Sequence, residues 1–122
     1  MSNPFSYAEL HTQNPAAAKA FYRELFDWKM ADHANPGVPE GVYTEIDPGE
    51  GFPGGLLRAA GQVASHWLPY VTVADLGAST ARAKKLGAAP LQEHVEIPEG
   101  KFSVLVDPTG APFGLFERKA SA

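Results

Sequence analysis

Tyr7, Glu9 and His11 alternate along a short β-prone run near the N-terminus, and residues of these types at this spacing can do chemistry. Strand alternation puts the three on one face, with Ser6, Ala8 and Leu10 on the other. A carboxylate and an imidazole two residues apart project side by side at about 7 Å, close enough to serve as a general acid/base pair or a metal pair. Each also has a plainer reading. His11, beside Thr12-Gln13-Asn14, can sit at the rim where the strand leaves the sheet, and Glu9 inside a sheet needs water or a partner. The same parity in the strongest β run, from His66 to Val73, groups Leu68, Tyr70 and Thr72. Tyr70 can hydrogen-bond a ligand while its ring packs an apolar group, or be a core tyrosine with a satisfied hydroxyl. Trp67 then points toward a helix layer as core, and His66 comes inward only if the register slips. His33, His94, Arg58 and Glu117 read as surface residues, and Glu45 is not assigned a face.

Other chemistry is excluded by inspection. With no cysteine among its 122 residues, the chain has no disulfide, thiolate metal site or thiol nucleophile. There is no G-x-G-x-x-G, Walker loop, G-x-S-x-G elbow or H-E-x-x-H. Ten basic residues against 14 acidic ones leave a net charge of −4, and the Arg82, Lys84, Lys85 cluster reads as a solvated helix face. Nucleic-acid binding, which needs a basic face, is not expected. The 44% hydrophobic and 20% charged content is that of a globular protein, and no apolar run is long enough to cross a membrane. The N-terminal residues lack a basic start and an apolar signal core, so the cytoplasm is the expected location.

The elements that must position these residues come in two similar sets, and repeats constrain a fold before anything else. Asn14-Pro15 and Asp75-Leu76 each open a helix-like run, Asp47-Pro48 and Asp107-Pro108 each open a turn, and Phe52-Pro53-Gly54-Gly55-Leu56-Leu57 is echoed by Ala111-Pro112-Phe113-Gly114-Leu115-Phe116. Asn14 and Asp75 can cap their helices through side-chain oxygens. The spacing predicts a strand over 5–11, a helix over 15–26, a strand over 28–33, a loop over 34–41, and strands over 41–47 and 54–60. Ala17, Ala18, Phe21, Tyr22 and Leu25 should form one apolar stripe on the sheet. In the second half a strand over 66–73, a helix from 76 with Leu76, Ala83 and Leu86 buried, and strands over 88–97, 102–106 and 113–117 follow, with Gly87 ending the helix. Both halves read β-α-β-β-β.

This arrangement, with Asn14-Pro15 followed by Phe21-Tyr22 and Leu25-Phe26, with Val73 and Asp75, and with Asp107-Pro108-Thr109-Gly110, resembles the vicinal oxygen chelate superfamily. The resemblance runs from Phe5 to Glu117 and is greatest to its glyoxalase-like branch, through His66-Trp67-Leu68-Pro69-Tyr70-Val71-Thr72-Val73. Asp27 departs from it, since relatives commonly place Gly before Trp28. The resemblance implies an α+β fold of two paired βαβββ modules forming a cupped eight-stranded mixed sheet around a cleft. It implies a single domain over residues 1–122, with modules at about 5–60 and 66–118. It further implies a divalent metal held from the first and last strands of each module. Counted from Asn14, Asp75 and Asp107, with the repeat supplying the fourth, the four ligand positions hold Tyr7, Gly55, Leu68 and Gly114. Leucine and glycine side chains cannot ligate, and a neutral phenol, which ionises near pH 10, is a poor donor.

The expectation is therefore a glyoxalase-like protein without the family's metal ligands or any other cofactor. It would bind a small apolar or aromatic molecule in the cleft through Tyr7, Glu9, His11, Gly55, Leu68, Tyr70, Gly114 and Phe116. The absence of side chains at Gly55 and Gly114 should enlarge the cup. Tyr7 and Tyr70 should face each other across the repeat. The alternative is a lyase or isomerase-like enzyme using Glu9 and His11 as acid/base or as an unconventional metal site. A structural or partner-binding module, with its cup filled by its own side chains, is a third. A homodimer is expected in every case, because modules of this kind close within one chain or swap between two.

Overall fold

The computed structural model describes residues 2–120. Among the described residues eight strands and two α-helices, with a short 3-10 turn at Pro39–Gly41, follow one another as two βαβββ modules, giving an α+β fold with parallel and antiparallel strand pairs. In order they are β1 (Phe5–Thr12), α1 (Pro15–Leu25), β2 (Lys29–Ala34), β3 (Val42–Asp47), β4 (Gly54–Arg58), β5 (His66–Thr72), α2 (Leu76–Lys85), β6 (Ala89–Ile97), β7 (Gly100–Val106) and β8 (Pro112–Arg118). The chain divides into two compact units, Tyr7–Leu68 and the remainder, so the first three residues of β5 belong with β2 to β4 and with β1 from Tyr7 onward, while Phe5 and Ser6 belong to the other unit.

In the first unit the strand order is β2-β3-β4-β1. The outer pairings are antiparallel hairpin neighbours, and β1 lies parallel to β4 with Glu9 opposite Gly55 and His11 opposite Leu57. Parallel pairing here follows from α1, which crosses over between β1 and the hairpin strands. Asn14 caps α1 by accepting from the Ala17 amide at 3.1 Å, and Pro15 occupies the first turn, where its missing N–H is not needed. Leu10, Ile46 and Leu56 form the core beneath the helix, with Ala18, Tyr22, Trp28 and Met30 packed against them.

That packing narrows the stripe expected on α1. Ala18 and Tyr22, one helical turn apart, face the sheet, whereas Phe21 and Leu25 are exposed and no residue of α1 is fully buried. Tyr22 instead heads an aromatic cluster with Phe26, Trp28 and Trp67, its ring stacked on Trp28 at 5.5 Å and edge-on to Trp67 at 5.6 Å. Trp67 does point to the helix side, yet it stays 39% exposed rather than core.

The second unit repeats the plan in the order β5-β8-β7-β6, with β5 parallel to β8 and Tyr70 opposite Gly114. Asp75 caps α2 through the Ala78 amide at 3.0 Å, the counterpart of the Asn14 cap. Glu117 is no mere surface residue, because its carboxylate accepts from the Leu76 amide at 2.8 Å and closes the same helix end. Leu76 is wholly buried with Val73, Leu105 and Leu115. Leu86, expected in that stripe, is 65% exposed, and the buried position one turn after Leu76 is Thr80, bonded to Ser103 at 3.0 Å. The helix ends one residue too early for Leu86 to turn inward: Leu86 is its C-cap, and Gly87 takes φ +108. The Asp107 turn is a turn, as its sequence indicates: Asp107 Oδ1 accepts from the Thr109 amide and hydroxyl and the Ala111 amide. Those bonds, the Thr109 hydroxyl foremost, hold the Asp107 carboxyl below its usual range.

Candidate functional site

The pleat of β1 sorts its side chains as the alternation predicts. Leu10 goes under α1, and Tyr7, Glu9 and His11 go to the other face. Their neighbours on that face come from β4 and β3. Gly55 lies opposite Glu9, and Tyr43 reaches over it from β3, where Thr44 and Ile46 are buried on the opposite side. The four polar side chains form one connected chain. The Tyr7 and Tyr43 hydroxyls are 2.7 Å apart, the Tyr43 hydroxyl donates to Glu9 Oε2 at 2.6 Å, and His11 Nε2 lies 2.8 Å from Glu9 Oε1. The Glu9 and His11 side chains thus lean together instead of standing apart at strand spacing.

This arrangement answers the physical difficulty of Glu9, which is 9% exposed and would be costly to bury as a bare carboxylate. It receives Tyr43 on one oxygen and His11 on the other. Burial, followed by the adjacent Glu9 charge, pushes the Tyr43 phenol far above its ordinary value, so Tyr43 is a neutral donor at all physiological pH. His66, at the start of β5, stacks on His11 with ring centroids 5.1 Å apart and planes 8° from parallel. Sequence reasoning admitted His66 only through a register slip and did not weigh Tyr43. The alternation of buried Thr44 and Ile46 was the signal that could have put Tyr43 and Glu45 on the Gly55 face. Glu45 itself is exposed and pairs with His33 at 3.5 Å.

Tyr70, Gly114 and Phe116 come together in the second unit. Parallel pairing sets Tyr70 opposite Gly114 and Thr72 opposite Phe116, and the Tyr70 ring meets Phe102 edge-on at 5.8 Å. Tyr70 is 6% exposed, and Leu68, of the first unit, is buried as well.

Neither glycine leaves open space above it. A Cβ added at Gly55 would fall on the Tyr43 hydroxyl and within 2.7 Å of that of Tyr7, and one added at Gly114 would fall on the Tyr70 ring. The missing side chains do not widen a cup here; they make room for tyrosines, because an aromatic ring can lie flat on a strand only where the strand carries no Cβ beneath it.

The residues at the four inferred metal positions do not fit a divalent ion. Two have no side chain, Leu68 has no donor atom, and the Tyr7 oxygen is committed to Tyr43. One nitrogen of each neighbouring histidine is already engaged, His11 Nε2 with Glu9 and His66 Nδ1 with the Ala64 carbonyl. Among the described residues no three or more His, Cys, Asp or Glu side chains gather where they could hold a metal. A separate groove of about 600 Å³ near the start of α1 includes Lys19, Asp32, Glu40 and Arg58. Its charges are already matched, Lys19 with Asp32 at 3.3 Å and Arg58 with Glu40 at 3.0 Å.

Comparison with known proteins agrees with this construction. The anthracycline biosynthesis protein DauV of Streptomyces sp. (strain C5) is 34% identical over 112 residues, covering 91% of this chain and 40% of that protein. The anthracycline biosynthesis protein DnrV of Streptomyces peucetius is 33% identical over 112 residues with the same coverage. The chain therefore spans about 40% of the length of these curated relatives. The crystal structure of the hypothetical protein BH1468 from Bacillus halodurans C-125 matches with a TM-score of 0.73, covering 100% of this chain and 99% of that one at 16% identity, a likeness of fold. A family described as the glyoxalase-like domain matches residues 8–116, and with these relatives and that fold the chain belongs to the glyoxalase-like domain family of the vicinal oxygen chelate superfamily.

Proposed function

We propose that the chain binds a small apolar or aromatic molecule without a metal ion. The observation that carries this reading is the pair of tyrosine-over-glycine faces. On one, Tyr7, Glu9, His11 and Gly55 are joined by Tyr43; on the other, Tyr70, Gly114 and Phe116 are joined by Phe102. Broad ring surface with a few fixed polar groups is the usual makeup of a small-molecule site. Two relatives named for anthracycline biosynthesis support an aromatic ligand, since anthracyclines are polycyclic aromatic compounds. Leu68 belongs to the same proposed set, to be tested by substitution alongside the others. A thermal-shift screen against aromatic metabolites and antibiotics tests the reading. A ligand present at a hundred times its Kd should add about 2.7 kcal/mol of stability, and a library without one stabilising aromatic compound would sink it.

A second reading is favoured by one specific observation, the 2.8 Å bond between Glu9 and His11. A carboxylate that fixes an imidazole is the arrangement of a general base and its orienting group, which suits a lyase or isomerase moving a proton next to a carbonyl. Exchange of substrate C–H protons with D2O, abolished in Glu9→Gln, would favour this enzyme. Metal content of protein purified without chelator separates pure acid/base chemistry from an unconventional ion at the same pair. We also propose a cytoplasmic homodimer with no nucleic-acid or membrane partner. Sedimentation velocity and cell fractionation test those points, and no helix among the described residues is long and apolar enough to cross a membrane.

A further inference from the structure

We infer that the ligand at the first unit's face is a hydrogen-bond donor, an aromatic molecule bearing a phenolic or enolic hydroxyl that is received by the Nδ1 lone pair of His11. This rests on the aromatic-ligand reading and goes beyond it by fixing the polarity of the site, which follows from counting protons. Tyr43 has a single hydroxyl proton and gives it to Glu9 Oε2 at 2.6 Å. In the 2.7 Å contact between the two phenols Tyr7 must therefore be the donor. His11 Nε2, at 2.8 Å from the other carboxylate oxygen, carries its proton toward Glu9 as well. The Tyr43 and His11 protons thus both point at the Glu9 carboxylate, and the Tyr7 proton points at the Tyr43 oxygen behind them. We take the imidazole in its neutral form, where a proton at Nε2 leaves the lone pair at Nδ1; among the described residues His11 bonds Glu9 through Nε2 and stacks on His66.

His66 extends the same polarity. Its Nδ1 lies 2.8 Å from the Ala64 carbonyl, which can only accept, so Nδ1 is protonated and Nε2 holds the lone pair. Two stacked imidazoles beside an anionic carboxylate thus present acceptors. An anionic ligand is repelled by Glu9, whereas a hydroxyl finds a partner at His11 Nδ1. The His11 side chain retains 21% exposure, enough for a ligand to reach it, and the His66 stack holds its ring plane.

The test titrates the full chain with 2-naphthol, 2-methoxynaphthalene and 2-naphthoate, which share an aromatic body and differ in offering a donor, neither donor nor charge, or a negative charge. We expect naphthol to bind about tenfold more tightly than the ether, the worth of one partly buried hydrogen bond, and naphthoate to bind more weakly than the ether. His11→Phe should remove the difference between naphthol and ether. Should that variant fold poorly, long-range 1H–15N spectra of the wild-type protein read the same point. His11 should be in the Nε2–H tautomer, with its Nδ1 resonance moving on addition of naphthol and not of the ether. Equal binding of naphthol and ether, tightest binding of naphthoate, or an Nδ1–H tautomer at His11 would overturn the inference and leave the aromatic-ligand reading standing. If none of the three binds, that reading fails and the inference with it.

Discussion

The two units use one backbone device for two different chemistries. In each, a glycine in the last strand of the module lies opposite a residue of the first strand, and a tyrosine ring occupies the place of the missing side chain. In the first unit the rings arrive hydroxyl first, from Tyr43 and Tyr7, and their oxygens are wired to Glu9 and His11. In the second the body of the Tyr70 ring lies on Gly114, backed by Phe102. The repeat keeps the glycine and its pairing with the first strand, while the ring over it comes from β3 and Tyr7 in one unit and from the opposite residue itself in the other, so the repeat identifies where a site would be and not what it does. The helices diverge in the same sense. α2 buries Leu76 and Thr80 outright, while α1 rests on Ala18 and Tyr22 and leaves Phe21 and Leu25 in solvent.

The helix contrast carries the largest expected effect. Leu76→Ala should cost about 2–5 kcal/mol, as a fully buried leucine leaves a cavity, whereas Phe21→Ala should cost less than about 0.5 kcal/mol. Urea denaturation of both variants measures this, and a comparable loss at Phe21 would mean that α1 buries the stripe its sequence pattern predicts. Next come the ring seats. Gly114→Ala forces a Cβ into a buried, packed ring and should cost about 3 kcal/mol. Gly55→Ala meets the tip of Tyr43, which can swing away, and should cost nearer 1 kcal/mol while breaking the hydrogen-bond chain. Equal losses would erase the distinction drawn between the seats.

Smaller differences separate their partners. Tyr43→Phe removes the hydroxyl that donates to the buried Glu9 Oε2 and should cost about 1–3 kcal/mol in urea denaturation. Phe102→Leu loses an edge-on ring contact of about 0.5–1.5 kcal/mol, read in the same denaturation series, and a loss larger than that of Tyr43→Phe would reverse the order. The smallest effect is acid sensitivity common to both units. Asp32, bonded to the Thr44 hydroxyl and to Lys19, and Asp107, bonded within its turn, both have pKa values lowered in the fold. Their contribution is therefore complete above the ordinary carboxylate value and is lost as pH falls below it. Asp32→Asn and Asp107→Asn should each flatten the acid limb of a thermal-melt series, and a steeper limb in either would contradict the sign.

Much of the fold could be read from local chemistry. Asn14 and Asp75 announce helix starts because a short side-chain oxygen beside a run of helix formers has one stabilising use there, and both make the bond expected of them. The strong β run at 66–72 and the turn at Asp107 are set by β-branched and aromatic residues in one case and by Asp, Pro and Gly in the other. Strand parity also placed Tyr7, Glu9 and His11 on one face, because alternation is a property of a single extended chain. The stripe on α1 was less legible, since periodicity names a face only to within one or two positions and the sheet beneath chose Ala18 and Tyr22.

What the sequence determined by itself was the pair of modules, their caps and turns, and the face on which the candidate groups lie. Only the tertiary structure decided that Tyr43 joins Glu9, that His66 stacks on His11, and that the glycines seat rings instead of opening space. Those facts depend on which strands pair and in what register. Register is fixed by the hydrophobic packing of the whole unit, and side chains far apart in the chain meet only after that packing is complete.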